Sequence, residues 1–120
     1  MSDKFEFEIE FFESILRKDT NNIEVIEILG ELYTRIKRYS EGLKLDRKLV
    51  RLKPENPTAH YNLACSYALL ERRAEAVRSL KDAIEKGYND FKWMMQDQDL
   101  KGLHNYTKFK QILEEHKIET

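Results

Sequence analysis

The sequence predicts an all-α fold built from stacked pairs of antiparallel helices. Three observations carry the prediction: self-similarity at a shift of 34 residues, apolar residues recurring at three- and four-residue steps, and few turn formers, with 4 Gly and 2 Pro in 120 residues. So little glycine and proline argues against a small β-sandwich or barrel. With 6 Phe, 6 Tyr and 1 Trp the chain is too aromatic to be disordered, although 36% of it is charged and its mean hydropathy is -0.70. Its length suits one domain spanning 1–120, large enough to fold without disulfide or metal. A single cysteine excludes an internal disulfide and any multi-thiolate zinc site.

The first element is expected at residues 4–18. Phe5, Phe7, Ile9 and Phe11 alternate as a strand would, but Phe5, Ile9, Phe12 and Leu16 lie at i, i+4, i+7 and i+11 and continue through Ile15. The helical pattern explains more residues, so 4–18 is read as an N-terminal capping helix. Phe7 and Phe11 widen its apolar arc beyond one stripe, leaving surface that is exposed or pairs with another chain.

Residues 23–56 set above 57–90 place Leu29 on Leu63, Tyr33 on Tyr67, Arg38 on Arg72 and Glu41 on Glu75. Size classes agree as well, with Gly30 over Ala64, Ile36 over Leu70, Gly42 over Ala76, Leu43 over Val77 and Val50 over Ile84. Each unit reads as two helices. In the first unit, Asn21 with Glu24 forms a capping-box pattern before Val25, Ile26, Leu29, Leu32, Tyr33 and Ile36. Ser40 is the expected cap of its second helix, and Pro54 the stop. In the second unit, Asn56-Pro57 is a cap followed by proline at the first helical position, and Gly87 ends the second helix. Gly30 and Ala64 sit mid-helix, where glycine costs about 1 kcal/mol against alanine and a small residue is tolerated where helices approach closely; Gly42, Ala76 and Ala83 fit the same account from the partner helix.

Residues 23–90 resemble two tetratricopeptide repeats, a family of 34-residue helix-turn-helix units. The first unit supplies Ile26, Leu29, Gly30, Tyr33, Gly42 and Pro54 of the family pattern, and the second Leu63, Ala64, Tyr67, Ala76, Leu80 and Ala83. Departures are Asp46 at a usually large position, Leu49 at a usual alanine, and His60 and Tyr88 in place of a bulky residue and proline. The resemblance implies a short right-handed α-solenoid in which the first helices of the units line a concave groove. Carried over by position, that groove holds Glu24, Glu27, Glu31, Thr34, Arg35, Tyr61, Asn62, Cys65 and Leu69. Asn62 matches an asparagine of the branch that clamps chaperone C-termini, but Glu27 and Glu31 stand where that clamp needs lysine and asparagine. They disfavour an acidic tail.

After Gly87 the period fails. Residues 91–120 read as a degenerate closing unit: a short helix from Phe91, a turn at Gln96–Asp99, and a helix over Tyr106–Glu115. Trp93 and Met94 are expected in its core, and Asp97 and Asp99 as solvated turn acids without a calcium-loop pattern.

No catalytic constellation is visible. His60, His104 and His116 are scattered, Cys65 reads as a half-buried thiol, and no glycine-rich phosphate loop exists. No cofactor or metal is expected. The function expected is a non-catalytic protein-protein interaction module, a scaffold or adaptor, whose acidic groove takes a basic or amphipathic segment. The bland alternative is that Glu24, Glu27 and Glu31 are a solvated helix face. A second alternative is homo-oligomerisation through the Phe-rich helix. Charge is segregated: residues 1–34 carry nine acids and three bases, and residues 35–53 eight bases and two acids, inside a net charge of -1. A basic run can bind nucleic acid, but this one lacks interleaved aromatics or glycines and is read as a solvated convex face. The acidic start and the absence of a long apolar run lead to the expectation of a soluble cytoplasmic protein with no membrane partner.

Overall fold

The computed structural model describes residues 3–118, and among them every regular element is helical. In order they are α1 (Asp3–Lys18), α2 (Ile23–Arg35), α3 (Tyr39–Leu52), α4 (Pro57–Leu69), α5 (Arg73–Glu85), α6 (Phe91–Gln96), a 3₁₀ segment (Gln98–Leu103) and α7 (Thr107–Glu115). The helices stack in sequence order as an α-solenoid of 44 × 32 × 21 Å, with α4 packed on both α3 and α5.

The shift of 34 residues recurs in the turns. Lys37 and Glu71 both take the left-handed conformation, with φ of 64° and 60°. Arg38 N–H then donates to Tyr33 C=O at 2.8 Å, and Arg72 N–H to Tyr67 C=O at 2.9 Å. These are the closing bonds of a helix C-terminal motif that satisfies orphan carbonyls. Each arginine pairs with the glutamate three residues on, Arg38 with Glu41 and Arg72 with Glu75. Each also lies over a tyrosine ring, Arg38 over Tyr33 at 4.9 Å and Arg72 over Tyr67 at 5.0 Å. The four sequence identities of the alignment are thus Leu29/Leu63 in the core and the three members of this turn.

α1 is a helix because one of its faces has a place to go. Ile9 is 2% exposed, and Phe5, Phe12 and Leu16 pack with it against Leu29, Leu32 and Tyr33 of α2. The Tyr33 hydroxyl donates to Glu13, tying α1 to α2. Phe7 and Phe11, on the far side, are 75% and 55% exposed.

Several local expectations are corrected. The cap of α2 is Asn22, not Asn21; its Oδ1 accepts from Val25 N–H at 3.1 Å. Ser40 lies inside α3, whose N-cap is Arg38 without a side-chain capping bond, because the left-handed Lys37 restarts the helix earlier. Asn56 caps α4 as expected, with Pro57 at the first position, and Gly87 (φ 114°) ends α5. Gly30 and Gly42 leave room for more than a hydrogen. A Cβ at Gly30 would lie 3.5 Å from Asp46 Oδ1, and one at Gly42 3.5 Å from Thr34 Oγ1, so alanine fits at both, as in the second unit.

The closing segment departs further. The turn expected at Gln96–Asp99 is the start of the 3₁₀ segment, with Asp97 as its N-cap. Met94, Leu100, Leu103, Phe109 and Ile112 are fully buried against α4 and α5. Trp93 is not among them: α6 is only six residues long and spends its single buried face on Met94, leaving the indole 50% exposed.

Candidate partner-binding groove

α2 and α4 both pack on α3, and side chains of all three helices and of the segment from Trp93 to Asp99 meet around one cavity. Its volume is about 330 Å³. Of the residues expected to face it, Glu27, Glu31, Thr34, Tyr61, Asn62, Cys65 and Leu69 line it. Glu24, in the first turn of α2, and Arg35, in its last, do not. Arg35 instead pairs with Glu31 at 2.8 Å on the exposed rim. Gly30, Asp46, Leu49, Ser66, Trp93, Asp97 and Asp99, which the repeat pattern did not place there, also line the cavity.

Asp46 arrives from α3 beside Gly30, with its Oδ1 3.5 Å from where a Cβ of that residue would lie. Ser66 Oγ donates to it. Burial raises its pKa from 3.8 to about 6, and the Ser66 bond opposes part of that rise. The one sequence signal was its departure from the repeat pattern, a carboxylate where a large residue is usual.

Asp97 is the more buried of the acids, 7% exposed, and it is not the solvated turn residue expected. Its Oδ1 accepts from Asp99 N–H at 3.0 Å, and its Oδ2 from Tyr61 O–H at 2.6 Å and from Cys65 Sγ at 3.7 Å. The capping role of an Asp at the start of a helical turn is what draws it inward. Burial pushes the Tyr61 hydroxyl and the Cys65 thiol well above their ordinary ranges, with the Asp97 charge adding to both. Burial and then Asp97 also raise Asp99. Tyr61 is held flat against Tyr88, centroids 4.3 Å apart and planes 5° apart, and burial lifts Tyr88 to about 12.

This arrangement fixes the chemistry available. A thiol kept protonated is a poor nucleophile and a poor metal ligand. Cys65, Asp97 and Asp99 do bring ligand-type atoms within 4.8 Å of one another, but Asp97 already serves three donors of the protein itself. The histidines are engaged elsewhere: His60 Nε2 meets Pro54 C=O at 2.7 Å, His104 stacks on Phe109, and His116 stacks on Phe91. The cavity is instead a concave surface with five carboxylates in its walls and an indole at its edge.

The basic run of residues 35–53 is partly spent within the fold. Arg38 pairs with Glu41, and Arg47 donates to the Tyr67 hydroxyl at 3.1 Å while lying over its ring.

The fold and this concave face define an α-solenoid of tetratricopeptide-like helix pairs. Solved structures agree: MamA (residues 41 to the end) from Desulfovibrio magneticus RS-1 superposes with a TM-score of 0.69 over 98% of this chain and 70% of that one, at 17% identity. A second MamA crystal structure gives 0.68 over 90% and 68%, at 22% identity. Among curated proteins, a chloroplastic protein from Arabidopsis thaliana is 30% identical over 89 residues. That match covers 72% of this chain, which spans about a quarter (27%) of the length of that relative. No family model matches the chain. Among the described residues no helix is long and apolar enough to cross a membrane. Because the Arabidopsis protein is a chloroplastic one, the match lends nothing to a cytoplasmic location.

Proposed function

We propose that the chain is a non-catalytic protein-interaction module, a scaffold or adaptor, that holds a basic or amphipathic segment of a partner protein in the concave groove. The observation that supports this reading most is the composition of the cavity: Glu27, Glu31, Asp46, Asp97 and Asp99 line it, Arg35 at the rim pairs with Glu31, and Trp93 lies half exposed beside them. A lysine or arginine entering there meets carboxylates on several sides and an aromatic face, contacts worth about 0.5–2 kcal/mol for the ring alone. The alternative of a merely solvated helix face explains Glu24 on the first turn of α2. It does not explain why Glu27, Glu31 and Asp99 share one cavity with the buried Asp46. The test is fluorescence anisotropy with labelled Lys/Arg-rich and Asp/Glu-rich peptides, on the protein and on Glu27→Lys plus Asp99→Lys. Salt-sensitive binding of the basic peptide alone, abolished by the double substitution, supports the groove. Equal affinity for both peptides, or binding indifferent to the substitutions, sinks it.

A second reading, self-association through α1, is favoured by the 75% and 55% exposure of Phe7 and Phe11. Nucleic-acid binding through 35–53 has less support, since Arg38 and Arg47 are committed within the fold.

A further inference from the structure

The two ends of the solenoid are complementary. At one end, Phe7 and Phe11 are one helical turn apart on the face of α1 opposite its core seam, and they leave roughly 250 Å² of ring in water. Glu8 and Glu10 flank the pair, with Lys4 a turn before it. At the other end, beside α7, an open depression of about 730 Å³ has the half-buried Met95 and Ile118 in its walls, over the buried Phe109 and Leu113. Its charged rim is Lys110, Glu114 and Lys117. His104 stands in the same wall with its Nε2 buried and without a hydrogen-bond partner among the described residues. One end thus offers two exposed aromatic rings, Phe11 resting edge-on against Phe12, with an acidic border, and the other a hollow with a basic excess.

We propose that a second copy of this chain is the occupant: α1 of one molecule docks its Phe7–Phe11 face into the depression beside α7 of the next, with Glu8 and Glu10 against Lys110 and Lys117. This rests on the self-association reading above and adds the acceptor. A symmetric α1–α1 pairing would bring Glu8 and Glu10 against their own copies, which like-charge repulsion opposes. A head-to-tail contact meets opposite charges and joins apolar to apolar. Because the two surfaces differ, the contact is heterologous, so it continues into rings or open chains rather than stopping at a dimer.

The experiment is light scattering and sedimentation velocity of the full chain over a rising concentration series. Mass increasing through and beyond the dimer is expected. Phe7→Ser plus Phe11→Ser should leave a monomer. Lys110→Glu plus Lys117→Glu, and separately Glu8→Lys plus Glu10→Lys, alter only surface positions and should each weaken association by at least about tenfold. Mixing these two charge-reversed chains should restore it, since each then presents the other with the opposite sign. Circular dichroism confirms that each variant is folded. A strict monomer at every concentration overturns both the acceptor and the self-association reading. A dimer that the Phe substitutions abolish, but that ignores Lys110→Glu plus Lys117→Glu, keeps α1 as the interface and overturns the head-to-tail assignment.

Discussion

Asp46→Asn should stabilise the protein at neutral pH and change it far less in acid. The carboxyl has an ordinary pKa of 3.8 and one of about 6 in the folded chain, raised chiefly by burial between α2 and α4. The folded state therefore binds this proton more tightly than the unfolded state. Its stabilising contribution is complete below pH 3.8 and is lost as the pH rises through about 6. A shift of this size corresponds to about 3 kcal/mol at pH 7, or about 2 once screening at the open cavity is allowed for. Asparagine keeps the shape and an oxygen for the Ser66 hydroxyl, but carries no charge to desolvate. Urea unfolding of both proteins at pH 4, 5, 6 and 7.5 measures the difference. The variant should gain only about a fifth of the effect at pH 4, about half by pH 5, and about 1 M in midpoint at pH 7.5. A difference that does not vary with pH, or a variant less stable at pH 7.5, would refute the burial of this charge as the cause.

Four further substitutions test the same geometry. Tyr61→Phe removes a 2.6 Å bond to the buried Asp97 carboxylate and should cost about 1.5–3 kcal/mol in chemical denaturation, with Cys65 still unreactive to thiol reagents in the folded state. Gly30→Ala should raise stability by about 0.5–1 kcal/mol, because a Cβ there meets only ordinary contacts; a loss would mean that the helices close more tightly than the 3.5 Å distance indicates. Gly87→Ala, at φ 114°, should cost about 1–2 kcal/mol, whereas Lys37→Gly, at φ 64°, should be neutral or stabilising, both read from thermal midpoints.

The sequence by itself determined the helices and their order. Apolar residues at three- and four-residue steps specify which face of each helix is buried, and the shift of 34 specifies which helices are equivalent. Both follow from local periodicity, which is why Leu29, Tyr33, Leu63, Tyr67, Ala76 and Leu80 were legible as core. The periodicity of α2 and α4 also placed seven of the cavity's lining residues. Only the tertiary structure decided the rest of the cavity. Asp46 comes from α3 and reaches the cavity beside Gly30. Trp93, Asp97 and Asp99 come from the aperiodic segment after Gly87. There the apolar pattern cannot say which side chain turns inward, since a six-residue helix buries one face and a capping aspartate follows its backbone partners rather than its polarity. Burial of an acid is a property of what surrounds it. The chain sequence names the acid, and the packing of α3, α4 and the 3₁₀ segment makes it part of a site.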